Sequence, residues 1–197
     1  HTGQKRVLVI GLDGATFDLI DPWIAAGHLP NLKRLVENGC RGLLSSTIQP
    51  TTAPAWVTFM TGLNQVKNGL YDFVRRQPDG YNLEVTNATH VAAPSIFDIA
   101  GKNNRKVIAL NIPYTFPPHP VNGIMVGGPF TPTISRDLVY PPDFFSTLKK
   151  LSPDYFVIPD FDHRASDPLT DFSSKLFRGI EMREQLSLHL LKTESWD

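Results

Sequence analysis

Cysteine is nearly absent from this sequence: Cys40 stands alone, so no internal disulfide can form and the fold must rest on its core. That usage fits a reducing compartment. Net charge is missing too, with 19 Lys and Arg against 19 Asp and Glu, which leaves no basic face for a nucleic-acid polymer. A single small phosphate needs only a local positive field, so the balance does not argue against a phosphate ligand. No apolar run is long enough for a membrane span or a signal peptide, because the stretch from Val7 ends at Asp13. A soluble, cytoplasmic protein with no membrane partner is expected, with residues 1–4 as a cloning remnant. Internal repeats and low-complexity tracts are absent. Charged residues make up only 19% and hydrophobic ones 41%, a balance that excludes disorder and can fill a core.

What is present reads as alternating strands and helices. Arg6-Val7-Leu8-Val9-Ile10-Gly11-Leu12 is a continuous apolar run of the kind buried on both faces of a sheet. Helical patterns follow over residues 16–26 and 29–38, the second with Leu32, Leu35 and Val36 at helical spacing and Gly39 as its stop. Residues 41–46 read as a second strand, and the loop 47–54 leads into a helix over 55–61 closed by Gly62. An exposed strand is expected at 81–87, a helix at 95–103 and a buried strand at 106–111. Pro113 to Pro120 holds four prolines, which suits a fixed extended loop. A short strand at 123–126, a helix at 141–151 and a long amphipathic helix over 171–193 complete the chain. Phe172, Leu176, Ile180, Leu186 and Leu190 form the expected inner stripe of that last helix. The alternation predicts an α/β fold, a mostly parallel sheet flanked by helices. No strand follows the long helix, so the chain reads as unfinished.

Two positions stand where chemistry is placed in such folds. Asp13 ends the first expected strand, and ligands of open α/β sheets collect beyond the carboxyl ends of strands. Alone it reads first as an Asp-Gly turn with a capping Asp, and the run Gly11-Leu12-Asp13-Gly14 is neither a dinucleotide fingerprint nor a phosphate-binding Gly-Lys-Ser/Thr loop. Thr51-Thr52-Ala53-Pro54 precedes the helix expected over 55–61, where the helix dipole favours an anion. On spacing alone, a capping threonine outweighs a catalytic one.

Together these segments resemble the type I phosphodiesterase/nucleotide pyrophosphatase family of the alkaline phosphatase superfamily. The resemblance rests on an ordered series: Ile10-Gly11-Leu12-Asp13-Gly14, Leu29-Pro30-Asn31-Leu32 with Leu35 and Gly39, then Pro50-Thr51-Thr52-Ala53-Pro54-Ala55-Trp56 with Thr61-Gly62 and Asn68-Gly69. The stretch from Asn111-Ile112-Pro113-Tyr114 through Val121-Asn122-Gly123 resembles the family's uncharacterised phosphohydrolase/phosphomutase branch. The resemblance implies that Thr52 is the nucleophile and that Asp13 and Thr52 bind the same divalent metal ion. Thr51 competes, but the family's nucleophile stands two residues before the proline, which selects Thr52. It further implies two metal ions, zinc in most members and manganese in some, and a small phosphate ester or nucleotide as substrate. Ala55 stands where nucleotide pyrophosphatases carry a phosphate-binding Asn, and Asn68 where they carry His. Both departures bear on nucleotide specificity rather than on hydrolase ancestry.

The family completes its metal centre with later Asp and His residues that have no counterpart here. Asp160-Phe161-Asp162-His163 contains an Asp-His pair, but it comes too early and reads as a solvated loop. Arg75, Arg76 and Lys67 likewise read as a solvated face. Residues 1–132 are therefore expected to be the N-terminal part of an alkaline-phosphatase-like catalytic core, and 133–197 a helical or inserted region. By itself such a chain is expected to be inactive and to pair as a homodimer through uncovered surface. Two alternatives stand beside the hydrolase: a phosphomutase of the same superfamily, which normally uses Ser as nucleophile, and a non-catalytic domain.

Overall fold

The computed structural model of the chain describes residues 5–78 and 80–197; the cloning remnant read over residues 1–4 lies outside them. The chain divides into two units, Val7–Ser46 and Thr47–Asp197, the second joined by the residues up to Arg6.

The smaller unit holds two helices, α1 (Phe17–Ala25) and α2 (Pro30–Asn38). Thr16 caps α1 by accepting the Asp18 N–H at 3.3 Å, and Pro30 opens α2 at a position where its missing N–H costs nothing. Arg41 lies 2.7 Å from Asp21, with its guanidinium 3.9 Å from the centre of the Phe17 ring. None of the unit's residues is buried. The strands expected at 6–12 and 41–46 carry no ladder, and Val7, Leu8, Ile10, Leu43 and Leu44 are exposed. A doubly apolar strand gains its stability from a neighbour and two covering layers, and the described residues give these runs neither.

The larger unit begins with α3 (Thr52–Thr61) and the single turn α4 (Gln65–Asn68). Strands β1 (Val74–Arg76) and β2 (Leu83–Val85) form an exposed antiparallel hairpin. Helix α5 (Ile96–Lys102) precedes β3 (Val107–Ile112), and β4 (Gly123–Gly127) follows. Strand β5 (Val139–Tyr140), α6 (Phe144–Leu151) and α7 (Pro168–Thr193) close the unit. The sheet order is β3-β4-β5, with β3–β4 parallel and β4–β5 antiparallel. The fold is α/β as expected. The mostly parallel sheet is not what the described residues form, because β3–β4 is their one parallel pair.

Period-two alternation places the core. Ile124 and Val126 face a layer made by α6 and α7, where Leu148, Leu186 and Leu190 are buried. Val107, Ala109 and Met125 face the other way, against Phe97 and Ala100 of α5. Each fully buried Leu contributes about 1.5–3 kcal/mol. On α7 the buried positions are Gly179, Met182, Leu186 and Leu190, whereas Leu176 and Ile180 of the expected stripe are exposed. Steps of four residues overshoot a turn and drift around the helix. Gly179 sits on the inner face because a Cβ there would meet the Phe156 ring at 3.1 Å.

Asn68 pins the corner between α3 and α4. It is fully buried; its Nδ2 donates to the Leu63 carbonyl at 2.9 Å and its Oδ1 accepts the Leu70 N–H at 3.0 Å. Ser95 and Asp98 cap α5 reciprocally, and His119 Nε2 lies 2.8 Å from the other Asp98 oxygen. Burial alone would raise the Asp98 carboxyl, but the Ser95 hydroxyl and N–H, with His119, outweigh it and hold it below its ordinary value. The residue thereby ties the proline-rich loop to the start of α5.

Two outcomes follow from these bonds. Asn68→Ala leaves a buried carbonyl and N–H unpaired and should lower stability by about 3 kcal/mol, read as a shifted denaturation midpoint with unchanged slope. Asp98→Ala should cost about 1 kcal/mol at neutral pH. A depressed carboxyl contributes its stability above its unfolded value and loses it as pH falls through the folded one. The gap between wild type and Asp98→Ala should therefore close below about pH 4, as followed by thermal melts across pH.

Candidate active site

Thr52 is the first residue of α3. The helix starts three residues earlier than the expected 55, because Pro54 falls within the first turn, where proline needs no hydrogen-bond partner. The N-cap is Thr51, extended at φ −116° and ψ 156°, whose carbonyl accepts the Ala55 N–H at 3.2 Å. Its side chain makes no capping bond. Upstream, the Gln49 carbonyl accepts both the Thr47 hydroxyl at 2.6 Å and the Thr51 N–H at 2.8 Å, which fixes the chain's entry into the helix.

Thr52 is half-buried, and the residues after it are the anchor: Ala53 and Pro54 are buried, Ala53 packing with Val57, Met60, Leu70 and Tyr114. The helix end is thereby held rigidly while its first residue stays accessible. No acidic side chain occupies the first turn, so the positive end of the dipole is not neutralised from within the helix. Gly62, at φ +67°, closes the helix in the left-handed conformation.

Tyr114 supports this anchor from the carboxyl end of β3. It is buried at φ +64°, a conformation that costs a bulky residue energy, and its hydroxyl lies 3.1 Å from Thr86 Oγ1. Burial pushes its phenol up, so it stays neutral at working pH. Phe130, also left-handed, packs on Tyr114 with ring centres 5.6 Å apart. The sequence marked this segment by its prolines and by its family resemblance, neither of which places Tyr114 against α3. The contact between Tyr114 and α3 depends on a strand register that no local pattern records.

Asp13 lies in the unit Val7–Ser46, next to Gly14 at φ +69° and just before the cap of α1. Asp13 and Thr52 thus stand in different units. Arg75 pairs with Glu84 at 2.5 Å, and Arg76 lies 5.4 Å above the Tyr81 ring, both within the β1–β2 hairpin. Asp160 is 3.2 Å from Lys175, and the His163 ring packs on Phe161, in an exposed loop. Among the described residues no group of three or more His, Cys, Asp or Glu converges to hold a metal ion. The Asp13 carboxylate and the Thr52 hydroxyl are each a hard oxygen donor of the kind that suits a divalent ion.

Asn68, at the position where nucleotide pyrophosphatases carry His, spends its side chain on its own chain. Among the described residues no helix is long and apolar enough to cross a membrane. No curated protein and no solved structure matches the chain. A family model, Type I phosphodiesterase / nucleotide pyrophosphatase, matches residues 7–196. The chain belongs to the type I phosphodiesterase / nucleotide pyrophosphatase family, a family of phosphoric ester hydrolases.

Proposed function

We propose that this protein hydrolyses small phosphate esters or nucleotides in the cytoplasm, through a covalent intermediate on Thr52. The reading is carried by one observation: a family match spanning both Asp13 and Thr52, with Thr52 as the first residue of a buried-anchored helix. Thr52 Oγ1 forms a bond to phosphorus while the bond to the leaving oxygen breaks. The leaving oxygen takes up a proton, the threonine proton passes to solvent, and water then releases the phosphoryl group from Thr52. The amino-terminal end of α3, with no acidic side chain in its first turn, favours the anionic substrate and the charge that develops on it.

Asp13 and Thr52 would hold one divalent ion, zinc or manganese, which supplies a lowered hydroxyl pKa and a counter-charge when bound. The role of Asp13 is to bind through its carboxylate; that of Thr52 is to present its oxygen in line with the leaving group. Ala55 removes the side-chain amide that nucleotide pyrophosphatases offer to phosphate, so recognition of the ester would fall more heavily on the helix end.

Thr52→Ala in the full-length natural protein should abolish turnover of an aryl phosphodiester, with an unchanged circular dichroism spectrum. Thr51→Ala should keep most activity and cost well under about 1 kcal/mol, since its hydroxyl makes no capping bond. Near-wild-type turnover by Thr52→Ala would sink the nucleophile. Asp13→Asn should weaken zinc or manganese uptake in equilibrium dialysis at least tenfold; unchanged uptake would remove Asp13 from the site. Relocation of the phosphoryl group within the substrate, without net hydrolysis, would show a mutase instead.

A further inference from the structure

Helix α3 turns three different faces to its surroundings, and the one that carries Thr52 is aromatic. Ala53, Val57 and Met60 form the inner face, buried with Leu70 and Tyr114. Thr58 and Thr61 lie on a second side, where the Thr58 hydroxyl accepts from Asn68 Nδ2 and the Thr61 hydroxyl donates to the Val57 carbonyl. At 100° per residue, Thr52, Trp56 and Phe59 fall together within an arc of about 60°.

Trp56 is half-buried and Phe59 is 52% exposed, and both stand outside the buried cluster that α3 helps to fill. Their rings meet edge to face, with centres 5.9 Å apart and planes at 79°. Such a pair uses the face of one ring and the edge of the other, which leaves ring faces for a further flat group. Each Cα–Cβ bond of an α-helix tilts toward the amino terminus, so a side chain covers the turn ahead of its own Cα. Trp56 stands about 6 Å after Thr52 along the axis, and this tilt carries its indole toward the turn that Thr52 occupies. Ala55, beside them, contributes a single methyl group.

The position of Thr52 on this face selects the occupant. A macromolecule seated there would cover Thr52, which the reaction proposed above needs open to ester and to water. Part of the ester itself meets both demands: phosphate at Thr52, and a flat apolar group joined to it through one bridging oxygen and laid against Trp56. Ala55 points the same way, because it withdraws the amide contact to phosphate and puts apolar surface in its place.

We propose that Trp56 and Phe59 are the specificity-determining pair of the Thr52 site, and that the substrate is a phosphate ester bearing an aromatic ring on a phosphorus-bound oxygen. The inference rests on Thr52 as the reacting residue, and its test reads binding rather than turnover so that the two can fail separately. Isothermal titration calorimetry on the full-length natural protein compares phenylphosphonate with methylphosphonate, stable mimics that share the charged head and differ in the ring. Phenylphosphonate should bind at least about tenfold more tightly. Trp56→Leu keeps apolar bulk but removes the ring, and should bring the ratio of the two dissociation constants toward one. Phe59→Ala, at an exposed position, should shrink the ratio as well, with an unchanged thermal melt. Equal affinities in wild type would overturn the proposal. So would a ratio that Phe59→Ala leaves at the wild-type value, whatever Trp56→Leu does to the fold. Lost turnover in Thr52→Ala beside a wild-type ratio of one would keep the nucleophile and remove the aromatic pair. Retained turnover in Thr52→Ala beside a ratio that needs Trp56 would do the reverse.

Discussion

Everything in the larger unit hangs from the parallel pair β3–β4, because its side chains point alternately into two apolar layers. Ile124 and Val126 hold α6 and α7, while Met125, Val107 and Ala109 hold α5. A one-residue slip in the β3–β4 register would send each of these sets to the wrong layer. The pairing of Val107 with Gly123 and of Leu110 with Val126 is therefore fixed by burial on both sides, with the short β5 pairing Val126 to Val139 at the far edge.

The carboxyl end of that pair converts sheet register into the position of α3. After Ile112 the chain turns through Tyr114, which lies against Ala53 and Val57, and through Thr115, whose hydroxyl donates to the Ile112 carbonyl and accepts the Gly128 N–H at 3.1 Å. Gly128 must be glycine: a Cβ there would stand 2.0 Å from the Ile112 carbonyl oxygen. Strain at Tyr114 and Phe130 is held by the contacts around them, and strained backbone that packing over-determines is a common support for functional residues. Such a seat gives the start of α3 little freedom to shift.

The sequence disclosed the elements whose signals are local. The helix starts near 16 and 95, Gly62 and Gly39 as stops and the β3 run at 106–111 all reappear within a residue or two. It misplaced what depends on partners. The run Val7–Leu12 has the composition of a buried strand, yet composition does not supply a ladder or a cover, and the run is exposed and unpaired in the sheets described. The start of α3 was missed because a proline in a first turn looks, in sequence, like a proline in a loop. The stripe on α7 failed because Phe172, Leu176 and Ile180 match helical spacing as well as Met182, Leu186 and Leu190 do, and only packing against Phe156 and α6 selects between them. The motif around Thr52 and Asp13 was legible as a family pattern; the support from Tyr114 was not.

The two threonines at the start of α3 differ in what the fold asks of them, and that difference bears on which can do chemistry. Thr51 is extended, exposed and committed through its backbone: its N–H goes to Gln49 and its carbonyl to Ala55. It marks the junction between loop and helix, with no buried side chain to anchor it. Thr52 has helical geometry and is followed at once by buried Ala53, so its Cα moves only if the core around Val57 and Tyr114 moves. A nucleophile must hold its oxygen within a few tenths of an ångström of the line of attack, and residues on rigid elements do this better than residues on loops. By that criterion Thr52 is the better placed of the pair, on grounds independent of its spacing from Pro54. The fully bonded Asn68 serves the same end from below: by closing the corner after α3 with its side chain, it fixes the other end of the helix whose first residue is Thr52.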